Sequence, residues 1–297
     1  MATTREIKRR IKSIDSTAQI TKALQMMSAS KMAKAQQVAS ESVPYAEGLY
    51  EIVNLIGDVK GYKSPYIREI AKVEKAVIVL VGPTRGFVGT QVSALAYDAK
   101  IYLDEFKRKN TGVEISAICV NSLGLKLAKL LGIDVRLSFL DIAELPGVYD
   151  LEALIKVLRE GFEAGEFDEV HIAYTHFVNT IIQKPVIKKL LPIKFEELAK
   201  QLQEKEIKKE TNFLFEPGRD KVLDKLLPEY FEMQVLSALL ESKASEESAR
   251  MIAMKNATDN AIELRDKLFL KYNRTRQSKI TAEIIDIVSG SLNSQNG

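Results

Sequence analysis

Across 297 residues the chain has one cysteine (Cys119), two histidines (His171 and His176) and no tryptophan. A lone cysteine forms no intrachain disulfide, which points to a reducing compartment. One cysteine and two histidines also leave too few ligands for a structural zinc site. The two histidines fall in one strand-like stretch five residues apart. That odd offset turns them to opposite faces, so they do not converge on a metal. Cys119 lies within an apolar strand pattern and reads as core, not nucleophile. No G-x-S-x-G elbow frames a serine, and no catalytic constellation emerges. Aromatic residues make up 7% of the chain, thin for a base-stacking platform. The longest wholly aliphatic run, Ala76–Val81, has six residues. A membrane span takes about 20. The net charge of +3 excludes a chain that is basic over its whole surface, and a hydrophobic share of 46% excludes a disordered tail.

Glycine and proline are missing from residues 1–43 and again from residues 229–289. In the first stretch Thr3 and Glu6 have capping-box spacing, which predicts a helix start. Ile7, Ile11, Ile14 and Ala18 then recur at coiled-coil spacing, and Ile20, Leu24 and Met27 continue the seam on a shifted phase. Pro44 is expected to kink this helix. Tyr45, Leu49, Ile52, Val53 and Ile56 resume the pattern up to Gly57 or Gly61. In the second stretch Pro228 is expected in the first helical turn and Gly290 just past the last. A helix of 61 residues spans roughly 90 Å, whereas a small domain is about 30 Å across. Such a helix needs a long partner, and residues 3–57 supply it. The two ends of the sequence are therefore read as an antiparallel pair. The second seam, Ala249, Ala253, Ala257, Ala261, Leu264 and Leu268, begins with small residues, and Asn256 and Asn260 sit beside it. Two readings stay open for it, a thin two-helix stalk or a helix whose other faces are covered by partner subunits.

Between the helices the pattern alternates. Strands are expected over 77–81, 113–120, 135–140 and 169–178, with 180–190 a candidate fifth. Helices are expected over 91–109, 122–131 and 151–164. This order argues a mainly parallel α/β sheet. Residues 201–218 are polar and charged and read as a linker. The Gly82–Gly89 segment joins a strand to a helix, where phosphate loops sit. Its glycines match neither G-x-G-x-x-G nor a Walker loop, so a tight turn and a nucleotide site both remain open, the turn better supported.

Charge is uneven. Residues 1–40 hold eight basic and two acidic side chains, a net +6 that leaves −3 for the rest of the chain. A basic, acid-poor, Ser/Thr-rich start also describes an organellar transit peptide. Residues 264–283 carry a further +4. In an antiparallel pair the two basic segments lie side by side. Three readings stand: a solvated face, a nucleic-acid contact, or a docking site for acidic protein loops. Beyond them Ile280, Ile284, Ile285, Ile287, Val288 and Leu292 make the helix end apolar on more than one side, which calls for an enclosing partner.

Several segments resemble the gamma subunit of bacterial F-type ATP synthases. They are Tyr272-Asn273-Arg274-Thr275-Arg276-Gln277 with Ile280-Thr281-Ala282-Glu283-Ile284, the stretch 245–254 with Asn256-Ala257-Thr258, and Ile7–Ile11 with Gln19–Ala23. Phe213–Pro217, Leu226–Pro228 and Pro44–Glu47 fit as well. There are departures. Leu24 stands where the family usually has Met, and Thr84 and Val88 replace the usual Asp and Cys of the turn after the first strand. The paired regulatory cysteines of chloroplast forms are missing, and the basic start aligns with mature members rather than with a transit peptide. The resemblance implies an α/β class protein: a long antiparallel coiled coil of N- and C-terminal helices plus a mainly parallel, Rossmann-like α/β domain. The expected division is 1–60 for the first coiled-coil helix, 70–200 for the α/β domain, 201–218 for the linker and 219–297 for the second helix. The implied role is a non-catalytic central rotor shaft, peripheral on the cytoplasmic face of the bacterial membrane. Its implied partners are the alpha and beta subunits, the epsilon subunit and the c-ring, with no cofactor, no metal, no nucleic acid and no membrane insertion. The implied partner contacts are Arg276, Gln277, Thr281, Glu283, Arg250, Lys8, Arg9 and Arg10, with Ile284, Ile285, Ile287 and Val288 as an apolar tip bearing. A coiled-coil nucleic-acid-binding protein is the alternative.

Overall fold

The computed structural model describes residues 3–56, 62–194 and 215–295, so most of the expected linker (201–214) lies outside the described residues. Two long helices dominate. Helix α1 (Thr4–Ile56) opens with the expected capping box. The Thr3 amide donates to Glu6 Oε2 (2.9 Å) and the Glu6 amide to Thr3 Oγ1 (3.3 Å). The helix is continuous across Pro44. The last helix, α5 (Arg219–Gln295), corrects two expectations at once, since Pro228 and Gly290 both lie inside it. Pro228 forfeits one backbone hydrogen bond, at about 3 kcal/mol. Leu227, Tyr230 and Phe231 beside it are buried against the sheet, and that packing outweighs the loss. An interior glycine costs only about 1 kcal/mol, too little to end a helix.

The chain forms two compact units, residues 1–28 with 251–297 and residues 29–250. The first is a helical pair. Thr21 and Thr258 share a hydrogen bond (2.7 Å) and Asp15 pairs with Arg265 (3.5 Å), so residue numbers fall on one strand of contacts as they rise on the other, and the pair is antiparallel. Its covered positions on α1 include Thr4, Ile7, Ile11, Ile14, Ala18, Thr21, Gln25 and Ser28, flanked by Asp15 and Leu24. Those on α5 include Met254, Thr258, Ala261, Arg265, Leu268, Tyr272 and Thr275, flanked by Met251, Ile252, Ala253, Ala257 and Asn273. In each helix the first-named set alternates three and four apart and keeps one phase throughout, with the flanking residues beside it. Of the expected shifted positions Ile20 and Met27 are exposed while Leu24 is half-buried. In the second seam Ala253, Ala257, Ala261 and Leu268 are covered as expected, but Leu264 is exposed, its place taken by Arg265. A constant heptad keeps the stripe facing its partner, and hydrogen bonding lets small polar residues fill it.

The second unit is a three-layer α/β fold. Its strands are β1 (Lys75–Val81), β2 (Glu114–Val120), β3 (Asp134–Phe139), β4 (Glu169–Phe177) and β5 (Gln183–Leu191), in sheet order β3-β2-β1-β4-β5. All pairings are parallel except β4–β5, an antiparallel edge hairpin. The period-two rule sorts each central strand cleanly. Ile78, Leu80, Ala117, Cys119 and Ala173 face α2 (Gln91–Lys109) and α3 (Asn121–Leu131). Val77, Val79, Val81, Ile118, Val120 and Ile172 face α4 (Glu152–Glu163) and residues 227–240 of α5. His171 and His176 do point apart: His171 meets the Tyr102 and Phe106 rings of α2 edge-on, and His176 meets Glu241 of α5.

Candidate functional site

Most sequence-predicted contact residues belong to the first unit and are open to solvent. Lys8, Arg9 and Arg10 are exposed on α1, and Arg276, Gln277, Thr281 and Glu283 on α5. Only Glu283 has a charged partner among them, Lys279 one turn back (3.5 Å). Further along, Ile284, Ile285, Ile287 and Val288 are all more than half exposed, with Ile287 at 71%. At about 100° per residue these four positions fall within an arc of roughly 160°, one broad apolar face, with Glu283 and Asp286 on the other side. The end is therefore not apolar around its whole circumference, as the sequence reading expected. Large apolar side chains exposed together on one face are costly in water and mark a surface that something covers.

Arg250 lies in the second unit and is engaged differently. Its guanidinium donates to Glu246 Oε1 and Glu247 Oε1 (both 2.6 Å) and to the carbonyls of Gly86 and Arg85 (both 3.3 Å). Burial alone would lower its pKa, but the two carboxylates outweigh that and raise it above the usual arginine value. Lys243 pairs with the same two acids, at 3.5 and 3.4 Å. Thr84 Oγ1 donates to Glu246 (2.5 Å). Glu246 and Glu247 are 2% exposed, so this is a dry, charge-balanced cluster. Sequence reading missed it, because a run of charges normally marks a wetted face. The available signal was Lys243, Glu246, Glu247 and Arg250 at i, i+3, i+4 and i+7 with Ser and Ala between them.

The Gly82–Gly89 segment is a tight turn. A Cβ on Gly82 would stand 2.1 Å from the Gly124 amide nitrogen, so the turn packs backbone against backbone at the start of α3. Phe87 takes a left-handed conformation (φ 63°) and is 73% exposed. The space a phosphate would need is lined by α5, with a cavity of only about 20 Å³ left among Gly82, Thr84, Asn121, Lys243 and Glu246. A larger groove, about 480 Å³, lies at the other end of the strands. There Arg136 pairs with Glu166 and covers the Phe167 ring, which leaves the groove mixed in charge. Burial pushes the Cys119 thiol up to about 11, which leaves it protonated and unreactive at neutral pH. Among the described residues no group of three His, Cys, Asp or Glu could hold a metal, and no helix is long and apolar enough to cross a membrane.

Comparison with known proteins assigns this architecture. A family model described as ATP synthase matches residues 3–292. The ATP synthase gamma chain of Roseiflexus castenholzii is 39% identical over 294 residues, 98% of each chain. That of Dehalococcoides mccartyi is 38% identical over 292 residues, again 98% of each. Among solved structures, a rotor chain of the Euglena gracilis mitochondrial ATP synthase superposes with a TM-score of 0.58 at 22% identity, covering 93% of this chain and 98% of that one. A chain of the same organism's OSCP/F1/c-ring structure gives 0.60 at 19% identity, covering 98% and 94%. The likeness of fold and the identity along nearly the whole sequence agree, and the chain belongs to the ATP synthase gamma chain family.

Proposed function

We propose that this chain is the central rotor shaft of a proton-translocating F-type ATP synthase, coupling proton flow to ATP synthesis or hydrolysis in a hexamer of alpha and beta subunits. The carrying observation is the helical pair of residues 1–28 and 251–297, with its basic surface and the exposed apolar face of Ile284, Ile285, Ile287 and Val288. The chain itself holds no catalytic residue in this reading and works by asymmetry. Each rotary position presents a different face to each catalytic subunit, and so stabilises different conformations in them. Proton flow supplies about 2.3 kcal/mol per charge per 100 mV. The epsilon subunit and the c-ring are the further partners, with the chain peripheral on the cytoplasmic face. Nothing in the relatives favours the nucleic-acid alternative.

Arg276 and Gln277 meet polar and acidic groups of a beta subunit in this proposal, and Thr281, Glu283, Lys8, Arg9 and Arg10 line the same sleeve. Ile284, Ile285, Ile287 and Val288 are its apolar bearing. Arg250 contributes by bracing. Exposed ion pairs contribute only about 0–1 kcal/mol each, which suits a sliding contact, because a deep well would stall rotation. The test replaces Arg276 and Gln277 together by Ala in the assembled complex. ATP synthesis in energised membrane vesicles should fall at least several-fold while the melting temperature of the purified chain holds. Undiminished synthesis removes both residues from the site. Failure of the unmodified chain to co-purify with alpha and beta subunits removes the reading itself.

A further inference from the structure

In open, mostly parallel sheets, ligands bind beyond the carboxyl ends of the strands, where the strand order reverses. Here that point falls between β1 and β4, because β2 and β3 extend the sheet on one side of β1 while β4 and β5 extend it on the other. The place is occupied by α5 itself. Leu239, Ser242, Lys243 and Glu246 line the remaining cavity with Val81 and Gly82 at the end of β1 and Asn121 after β2.

The helix is held there from two directions. On one side the β1 turn engages Glu246 through Thr84 and engages Arg250 through the carbonyls of Arg85 and Gly86. On the other, Ser248 Oγ donates to the Thr180 carbonyl (2.7 Å) and accepts from Gln183 (3.3 Å), and Glu241 binds His176 (2.5 Å) at the end of β4. Arg250 and Ser248 stand roughly 200° apart around the helix axis, so the turn and the β4–β5 hairpin bracket it.

Ion pairs this dry are poor stabilisers, since desolvation cancels much of their attraction. Direction comes instead from the hydrogen bonds that cross from α5 to the loops of the sheet, through Thr84, the Arg85 and Gly86 carbonyls, Thr180 and His176. Apolar packing is non-directional and tolerates a helix that slips around its axis. Hydrogen-bonded charges do not: a turn of about 30° carries an atom about 3 Å along the helix surface, the whole length of such a bond. It would part Glu246 from Thr84 and Arg250 from the Arg85 and Gly86 carbonyls, while the ion pairs within the helix turn with it.

We propose that Thr84 and Glu246, with Arg250, are positioning residues that key α5 against rotation about its own axis relative to the sheet, in a crevice that would otherwise admit a ligand. As a device for transmitting torque this rests on the rotor-shaft reading; as a mechanical lock it does not.

The test uses the full chain and the assembled complex in membranes, with Thr84→Val, Thr84→Ser and Glu246→Gln. In the purified chain, hydrogen exchange of amides 84–90 and 242–250 should quicken at least ten-fold in Thr84→Val and Glu246→Gln and stay near the unmodified rate in Thr84→Ser. In the complex, ATP hydrolysis should remain within two-fold, while protons pumped per ATP fall at least three-fold in Thr84→Val and recover in Thr84→Ser. Unchanged exchange in both disruptive variants overturns the lock. Faster exchange with undiminished pumping overturns its role in torque. If Glu246→Gln does not fold, the Val and Ser pair at residue 84 decides alone. A chain that never assembles with alpha and beta subunits refutes the rotor reading, and the exchange measurement still judges the lock.

Discussion

Two stretches of α5, residues 241–250 and 263–283, carry a charged side chain at about every second position, yet they behave as opposites. In the first, Lys243, Glu246 and Glu247 are buried, and Lys243, Glu246, Glu247 and Arg250 each have an opposite charge as partner. In the second, Lys267, Glu263, Lys279 and Glu283 stand in water, and their pairs span single helical turns. Charge density alone therefore does not decide burial. The neighbours do: Ala244, Ser245 and Ser248 are small enough to bring the sheet's loops against the helix, whereas Lys271, Arg274 and Arg276 hold anything but a charged or polar partner away. One element thus serves as a fixed insert in one unit and as an open, adjustable surface in the other.

Matched substitutions sharpen that contrast most. Glu246→Ala leaves Arg250 and Lys243 short of a buried counter-charge and should cost about 3–5 kcal/mol, read by chemical denaturation of the purified chain. Glu263→Ala removes a pair of similar length, 2.5 Å, but in full solvent, and should leave the denaturation midpoint unmoved. Equal effects would erase the distinction between the two stretches. The next effect is smaller. Thr258→Val deletes the Thr21–Thr258 hydrogen bond from the seam of the first unit. Thr21 keeps the Ala18 carbonyl as a second partner (3.1 Å), so the loss should be about 0.5–1 kcal/mol, seen as a shift of a few degrees in melting. The smallest effect is one of pH. Burial pushes the Glu169 carboxyl up, but the His171 hydrogen bond and the Lys189 charge outweigh it and hold the group below its ordinary value of 4.5. Its contribution is therefore present above about pH 4.5 and fades as pH falls through the lowered folded value. Glu169→Gln should be less stable at neutral pH and lose less stability on acidification, as followed by circular dichroism from pH 7 to 3.

The α/β core was legible because its signals are local. Six consecutive aliphatic residues at Ala76–Val81 cannot sit in water on either face, so a strand covered on both sides was the available reading. Thr3 and Glu6 announced the start of α1 for a similarly local reason. The seam phase was less visible. Ile20 and Met27 are more apolar than Thr21 and Ser28, and a reading by hydrophobicity follows them. The register is set instead by the partner helix, which a single segment does not reveal. Pro228 misled because its cost is local and its compensation, Leu227 and Phe231 against the sheet, is tertiary. The Lys243–Arg250 cluster was hidden for the same reason. By contrast, the apolar run at Ile284–Val288 was plain in the sequence, although its side chains share one broad face of the helix and do not surround it.

The unbroken three-four spacing of the seam has a directional consequence. Apolar and small contacts that repeat every 3.5 residues wind two helices around each other in a left-handed sense. A rope of one lay answers differently to the two directions of twist: one draws the strands together and the other eases them apart. In residues 1–28 and 251–297 the tightening sense presses Thr21 onto Thr258 and Asp15 toward Arg265, and the loosening sense pulls on those same bonds. The pair is thus stiffer when driven one way around its axis than the other, a handedness of compliance written into the spacing of its side chains.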